Sequence, residues 1–158
     1  MIKNYLFHNR YKKIGLIILI PFTIIGLISM FTGFEPSFLS VKVPAIFASQ
    51  LFGEDQLFGI IENNIWNEIL GMIIIISSLM VAFSREKNED EYILKIRLNS
   101  LVWAVYLNYA ILLIAILFVY NLSFLNVMTL NIFTVLFFFI IRFNWQLNRL
   151  NKSLENEK

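Results

Sequence analysis

Residues 98–141, LNSLVWAVYLNYAILLIAILFVYNLSFLNVMTLNIFTVLFFFII, form a run of 44 positions without a charged side chain. A single helix of that length would extend about 66 Å, roughly twice the ~30 Å thickness of the hydrocarbon core of a bilayer. The run is therefore expected to fold back on itself. Its cluster of turn-forming residues at 121–126 (NLSFLN) marks the place. We predict two membrane-spanning helices, about 101–120 and 127–143, joined as a tight hairpin.

Two further apolar stretches precede this hairpin. Residues 14–34 run for 21 positions without a charge, and residues 69–84 run for 16. The second stretch reaches membrane length, about 65–84, by including residues 65–68, with Glu68 extending towards the headgroups. The first stretch follows a basic start, as signal peptides do, but its apolar core is too long and residues 28–33 lack a small-x-small cleavage pattern. It is expected to remain as a membrane anchor.

The composition agrees with this pattern. Hydrophobic residues make up 58% and charged residues 15% of the 158 positions, against about 45–50% and 25% in soluble proteins. An ordinary soluble domain and a disordered chain are therefore excluded. The predicted fold class is all-α: one integral membrane bundle over residues 1–158, with four transmembrane helices arranged as two hairpins.

The basic residues predict the orientation of the bundle. Twelve of the thirteen Lys and Arg residues lie in the N-terminal segment, the connection 85–100 and the C-terminal tail, whereas the first connection, 35–64, carries only Lys42. Cytoplasmic loops carry the excess of Lys and Arg. Both termini and the connection 85–100 are therefore predicted to be cytoplasmic, and residues 35–64 to form an outer loop.

The outer loop has one segment that favours a helix. Residues 44–52 are predicted to form a short amphipathic helix on the outer surface, because Pro44 suits a first helical turn and Gly53 suits a helix end. The alternative is an irregular loop.

The connection SREKNEDEYILKIRLNS (residues 84–100) is the most charge-dense part of the chain. Asn88 is predicted to cap a helix that continues to Tyr120, with Glu89 and Asp90 in its first turn. The acidic residues are expected to be solvated and paired with neighbouring bases, so that neutralising one costs at most about 1 kcal/mol. The alternatives are docking of a protein partner, and metal or acid–base chemistry, which no histidine or EF-hand spacing supports. The four candidate partner contacts are Glu86, Glu89, Asp90 and Glu91.

The segment 81–109, VAFSREKNEDEYILKIRLNSLVWAVYLNY, carries a resemblance, and residues 137–144 (FFFIIRFN) carry a looser one. Both resemble stretches that recur in small four-span integral membrane proteins of AT-rich bacteria. The resemblance implies the bacterial cytoplasmic (inner) membrane as the location. It implies no activity and no site residue.

Three polar side chains inside the predicted hairpin are candidate intramembrane contacts: Asn108, Asn131 and Arg142. With the turn at 121–126, Asn108 and Asn131 differ in depth by about 10 Å and are not expected to pair. Asn108 is instead expected to bond to a carbonyl, to water or to another span. Arg142 is expected level with Ala104, either in a cation–π contact or extended towards the cytoplasmic headgroups.

Small residues predict where the first two helices meet. One face of the first span carries Gly15, Gly26 and Ser29, and one face of the second carries Gly71 and Ser78. Such faces allow close approach of helices in lipid. They are predicted to pack together, and the alternative is homodimerisation through one of them.

The chemistry of the chain narrows its function. It has no cysteine and one histidine, His8, which excludes disulfides, thiolate nucleophiles and multi-histidine metal or haem sites. Scattered basic residues give no nucleic-acid signature, and no catalytic residue, metal or cofactor is predicted. The leading hypothesis is a non-enzymatic, accessory or sensor-like membrane protein that contacts a protein partner or a second copy. The alternatives are a small oligomeric transporter or channel lined by Asn108, Ser77 and Ser78, and an enzyme acting on lipid-borne substrates.

Overall fold

The computed structural model describes residues 5–46, 58–87 and 89–156. Along these residues the elements are α1 (Asn9–Thr32), a 3-10 turn (Ser37–Leu39), β1 (Ser40–Ala45), β2 (Gly59–Asn64), α2 (Trp66–Ala82), α3 (Glu91–Phe118) and α4 (Leu122–Asn156). Helices α1, α3 and α4 are each long and apolar enough to cross a membrane. Helix α2, with 17 residues, is shorter. The prediction of a mostly helical chain is confirmed, with three helices that could span a membrane.

The described chain forms two compact units. The first combines residues up to Leu19 with residues from Ile75 onward, and the second is Ile20–Ile74. Helices α1 and α2 each contribute one part to either unit.

In the first unit, α3 and α4 form an antiparallel hairpin with a turn of three residues. The amide of Val119 closes α3 by donating to the Ala115 carbonyl at 2.8 Å. Asn121 adopts a φ of +59°, a left-handed conformation that asparagine tolerates better than most residues. The predicted turn at 121–126 is therefore wrong in extent, because residues 122–126 already belong to α4. One left-handed asparagine reverses the chain, and the leucines and phenylalanine that follow it are free to form helix.

Aromatic rings fill the core of the first unit near one end of the hairpin. The ring of Phe139 stacks on those of Phe83 and Phe143, with centroid distances of 5.7 and 5.8 Å. Phe139 and Phe143 are buried, as is Ala104 in α3. The stack joins the chain just beyond α2 to the second half of α4.

Gly15 allows α1 to approach α2 closely in the first unit. A Cβ atom at Gly15 would lie 2.8 Å from Cγ2 of Val81 and 3.0 Å from the Ser77 carbonyl oxygen. Real Cβ atoms do not make the first of these contacts. The predicted contact between the small-residue face of the first span and the second span is confirmed at this position.

In the second unit, the end of α1 is tied to the start of α2 by side-chain hydrogen bonds. Gly33, with a φ of +66°, ends α1. Buried Ser29 accepts from the Trp66 indole N–H at 3.0 Å and donates to the Phe34 carbonyl at 2.7 Å. Asn67 donates to the Glu35 carboxylate at 2.7 Å.

The chain between α1 and α2 contains a two-stranded antiparallel sheet among its described residues. Strands β1 and β2 pair from Ser40 opposite Asn64 to Ala45 opposite Gly59. The predicted helix at 44–52 is wrong for Pro44 and Ala45, which lie in β1, and residues 47–52 lie outside the described residues. The β-branched residues of both strands favour extension. Proline is tolerated because each strand of a two-stranded sheet is an edge.

Alanine substitutions at two glycines test the close approach of α1 and α2. Gly15→Ala should destabilise the protein by about 1–3 kcal/mol, because the new methyl group meets backbone and a branched side chain. Gly26→Ala is the matched control: its methyl group would meet only the Cδ1 atom of Ile74, at 3.1 Å. That side chain end can rotate away, and alanine gains about 1 kcal/mol of helix propensity. Thermal unfolding in detergent should give Gly15→Ala the lower midpoint. Equal midpoints would contradict the packing.

Candidate functional site

The charged connection between α2 and α3 is held by backbone hydrogen bonds to the N-terminal segment. Phe7 pairs with Ser84 in a parallel bridge. The Phe7 amide donates to the Phe83 carbonyl at 2.8 Å, and its carbonyl accepts from the Arg85 amide at 2.9 Å. Asn9, the first residue of α1, adds a side-chain bond to the Arg85 carbonyl at 2.7 Å. The chain before α1 and the chain after α2 therefore lie side by side.

Arg97 is the centre of this end of the first unit. Its side chain is buried, with the residue 5% exposed. One Nη atom donates to the carbonyl of Ala82, the last residue of α2, at 2.8 Å, and the other donates to the Ser84 carbonyl at 3.1 Å. The second Nη also lies 3.0 and 3.1 Å from the two carboxylate oxygens of Glu89. The guanidinium carbon lies 4.4 Å from the ring centroid of Phe143.

This arrangement makes Arg97 a cap on another helix. The last carbonyl groups of a helix have no partner within the helix and carry its negative dipole end, so a cation there is stabilising. Glu89 supplies the opposite charge that a buried guanidinium requires. Arg97, in α3, thus fixes the end of α2 and the connection through one planar group.

The four candidate acidic residues have separate roles. Glu86 forms an ion pair with Lys12, and the two side chains are 14% and 16% exposed. Glu89 pairs with Arg97 and also accepts from the Glu86 amide at 2.6 Å. Asp90 is the N-cap of α3 and accepts from the Ile93 amide at 2.8 Å. Glu91 is exposed in the first turn.

Two sequence predictions for the connection are therefore wrong. Helix α3 begins at Glu91 with Asp90 as its cap, so Glu89 and Asp90 precede the first turn, and Asn88 lies outside the described residues. Glu86 and Glu89 are not part of a solvated cluster, because both are largely buried in ion pairs. The sequence did contain a pattern that could have predicted a buried charge. Arg97 continues the helical stripe of Ser100, Ala104 and Asn108 towards the N-terminus of α3, and this stripe is the packed face of the helix.

A cleft of about 430 Å³ lies beside the Lys12–Glu86 pair. The polar residues around it come from the start of α1, the connection and the end of α4: Asn9, Lys12, Lys13, Glu86, Lys87 and Asn151. Leu16, Ile93 and Leu147 supply its apolar walls. The cleft belongs entirely to the first unit, and sequence reasoning did not find it because its residues come from four separate segments.

Asn108 and Asn131 form a reciprocal pair between α3 and α4. Each side-chain amide donates to the other's oxygen at 3.2 Å, and the Thr134 hydroxyl also donates to the oxygen of Asn108. Asn108 is 2% exposed. The prediction that the two asparagines do not pair is wrong. Because the turn is short, Asn108 lies ten residues before the end of α3 and Asn131 nine residues after the start of α4, about 1.5 Å apart in depth.

Arg142 lies between two indole rings. Its guanidinium carbon is 4.8 Å from the ring centroid of Trp103 and 5.2 Å from that of Trp145. The cation–π alternative is therefore present in the structure. Side chains on antiparallel helices lean in opposite directions along the hairpin axis, which brings Arg142 and Trp103 together from different levels.

The described residues include no group of three or more His, Cys, Asp or Glu side chains placed to hold a metal ion. No family model, curated protein or solved structure matches the chain. The resemblance of residues 81–109 to small four-span bacterial membrane proteins stays a prediction. The site is thus defined by its own contacts: a buried Arg97–Glu89 pair that supports a lysine-lined cleft.

Neutralising one acid at a time separates buried from exposed roles. Glu89→Gln leaves the Arg97 charge buried without its partner and should cost about 3–5 kcal/mol. Glu91→Gln, the same chemical change two residues away at an exposed position, should cost less than about 1 kcal/mol. Equilibrium unfolding of the full chain in detergent measures both. If the two variants unfold alike, the Arg97–Glu89 pair does not hold the connection.

Proposed function

We propose that this chain is a four-span protein of the bacterial cytoplasmic membrane with both termini in the cytoplasm. The observation that supports this topology is the β-bridge between Phe7 and Ser84. It joins Phe7, two residues before α1, to Ser84, two residues after α2, so α2 returns to the membrane face from which α1 started. Arg97, near the start of α3, bonds to the same region. The α3–α4 hairpin then returns the chain to that face.

Helix lengths support the four-span proposal. Twenty residues, about 30 Å of helix, lead from Phe118 back to Leu98 in α3 and from Leu122 to Arg142 in α4. Arg142 lies between Trp103 and Trp145, and tryptophan is enriched at the membrane–water interface. Helix α2 covers about 25 Å, which a locally thinner bilayer accommodates at modest cost.

The distribution of charge supports the orientation. Lys12, Lys13, Arg85 and Lys87 all belong to the segments that the bridge joins, whereas the first connection carries only Lys42. Cytoplasmic segments are the ones enriched in Lys and Arg. The bridged end is therefore the cytoplasmic end.

We further propose a non-enzymatic, accessory or sensor-like function through contacts with a protein partner at this end. The supporting observation is that some charged residues near the start of α3 are held by internal contacts and others are exposed. Contacts within the protein hold Glu86, Glu89 and Asp90, whereas Glu91, Tyr92 and Lys95 are exposed on the first turns of α3. We call these three residues the α3 contact face. Tyr92 is 57% exposed, and tyrosine is enriched among residues that dominate protein interfaces.

The intramembrane polar residues support packing over a transport path. The side-chain oxygen of Asn108 accepts from both Asn131 and Thr134, and its amide donates to Asn131. A polar group satisfied by the neighbouring helix stabilises the hairpin, typically by about 0.6 kcal/mol for each bond. We therefore assign Asn108 and Asn131 to the contact between α3 and α4.

Single cysteines test the topology directly, because the natural chain has none. Lys42→Cys lies in the first connection, and Lys95→Cys lies at the bridged end. In intact spheroplasts a membrane-impermeant maleimide should label Lys42→Cys and should label Lys95→Cys only after permeabilisation. Both variants should be labelled equally in permeabilised membranes, as the control. Labelling of both positions from the same side would contradict four spans.

A photoreactive phenylalanine analogue at position 92 tests the partner contact in living cells. Illumination should yield one discrete adduct with another protein, because Tyr92 lies on the α3 contact face. The matched control is the analogue at Tyr109, which is equally exposed but 17 residues further along α3, about 25 Å away within the span. No adduct at position 92, or the same adduct at position 109, would refute the contact. An adduct of twice the 18.6 kDa mass would replace the accessory role by self-association.

A further inference from the structure

The lysine-lined cleft carries a positive charge that the described residues do not neutralise. Three lysines and one glutamate line it. Glu86 is engaged by Lys12. Among the residues that the structure describes, Lys13 and Lys87 have no carboxylate partner. Two ammonium groups facing one concave volume concentrate a positive potential there. An anion in the cleft would remove their mutual repulsion.

The walls of the cleft are chemically mixed. Leu16, Ile93 and Leu147 line it together with the lysines and with the amide side chains of Asn9 and Asn151. Ammonium and amide groups donate hydrogen bonds to phosphate oxygens, whereas the apolar walls favour carbon atoms. The volume of about 430 Å³ is within the range of small-ligand pockets, roughly 300–1,000 Å³. This combination fits an amphiphilic anion.

The depth of the cleft along the helices indicates where that anion comes from. Ile93 and Leu147 each lie five residues, about 7.5 Å, beyond the 20-residue spans that end at Leu98 and Arg142. The headgroup layer extends roughly 5–8 Å beyond the hydrocarbon core on each side. The cleft therefore opens within the headgroup layer, where phospholipid phosphates lie.

We propose that the cleft binds the phosphate group of an anionic phospholipid from the cytoplasmic leaflet. Lys13 and Lys87 contact the phosphate, and Leu16, Ile93 and Leu147 contact the glycerol backbone of the lipid. The assignment to the cytoplasmic leaflet rests on the proposed topology, whereas the phosphate chemistry does not.

The test uses the purified full chain in a neutral detergent, titrated with phosphatidylglycerol or with phosphatidylcholine. A ligand that binds only the folded state adds RT ln(1 + [L]/Kd) to the free energy of unfolding and therefore raises the unfolding midpoint. Phosphatidylglycerol should raise the midpoint and phosphatidylcholine should not. The double variant Lys13→Gln/Lys87→Gln should bind phosphatidylglycerol at least tenfold more weakly. The matched control Lys42→Gln/Lys152→Gln removes two exposed lysine charges that do not line the cleft, and its affinity should stay within twofold.

Each contrary result has a distinct meaning. Equal stabilisation by both lipids, or an equal loss of affinity in the control, would overturn the phosphate site. Stabilisation by inorganic phosphate alone, without added benefit from the lipid, would overturn the lipid source. Because binding is measured in detergent, it is independent of orientation. A cysteine-labelling result that reverses the topology would therefore remove the leaflet assignment and leave the binding result intact.

Discussion

The buried guanidinium group of Arg97 is the group on which the bridged end of the first unit depends. It is buried, it caps the carbonyl end of α2, and it is neutralised by Glu89. A charge in this position is strongly destabilising without its partner, so the connection must bring Glu89 to it. Glu89 in turn accepts from the Glu86 amide, and Glu86 meets Lys12 in α1. One buried charge is thus linked through Glu89 and Glu86 to α1 and to the cleft beside it.

A second constraint acts at the other end of the α3–α4 hairpin. Asn121, in a left-handed conformation, restricts the turn to three residues. That short turn sets the register of the two helices, which places Asn108 opposite Asn131. The side-chain oxygen of Asn108 accepts from Asn131 and also from the Thr134 hydroxyl. In this register the side-chain amides of Asn108 and Asn131 bond to each other. The turn and the asparagine pair therefore stabilise one another.

The sequence predicted the helices better than their contacts. A charge-free run of 44 residues is too long for one span and predicts a folded-back hairpin, and the structure contains one. The turn was misplaced by a few residues because Asn121 and Asn126 are equally good turn formers, and only packing selects the first. With the turn placed too late, the predicted depths of Asn108 and Asn131 differ by about 10 Å, whereas the actual turn places them within about 1.5 Å of each other. Pro44 suggested a helix start, yet cross-strand pairing, which is non-local, places it in β1.

The candidate site could not be predicted from the sequence because its residues also meet only through non-local contacts. Glu89 and Arg97 are eight residues apart, a spacing that brings no two side chains together within one helix. They meet because α3 begins only at Glu91 and the preceding residues turn back towards it. The cleft combines α1, the connection, α3 and α4, so no local motif encodes it. The feature that the sequence did contain was a charged residue on the packed stripe of α3.

A double-mutant cycle on the buried pair is the most direct test of this account. Arg97→Met removes the charge and keeps the apolar length of the side chain, and it is measured alone and together with Glu89→Gln by equilibrium unfolding in detergent. If Arg97 needs Glu89, the double variant should be more stable than Glu89→Gln alone, because no unpaired charge remains buried. A double variant whose loss of stability equals the sum of the two single losses would show that the side chains act independently, and would contradict the central role of the pair.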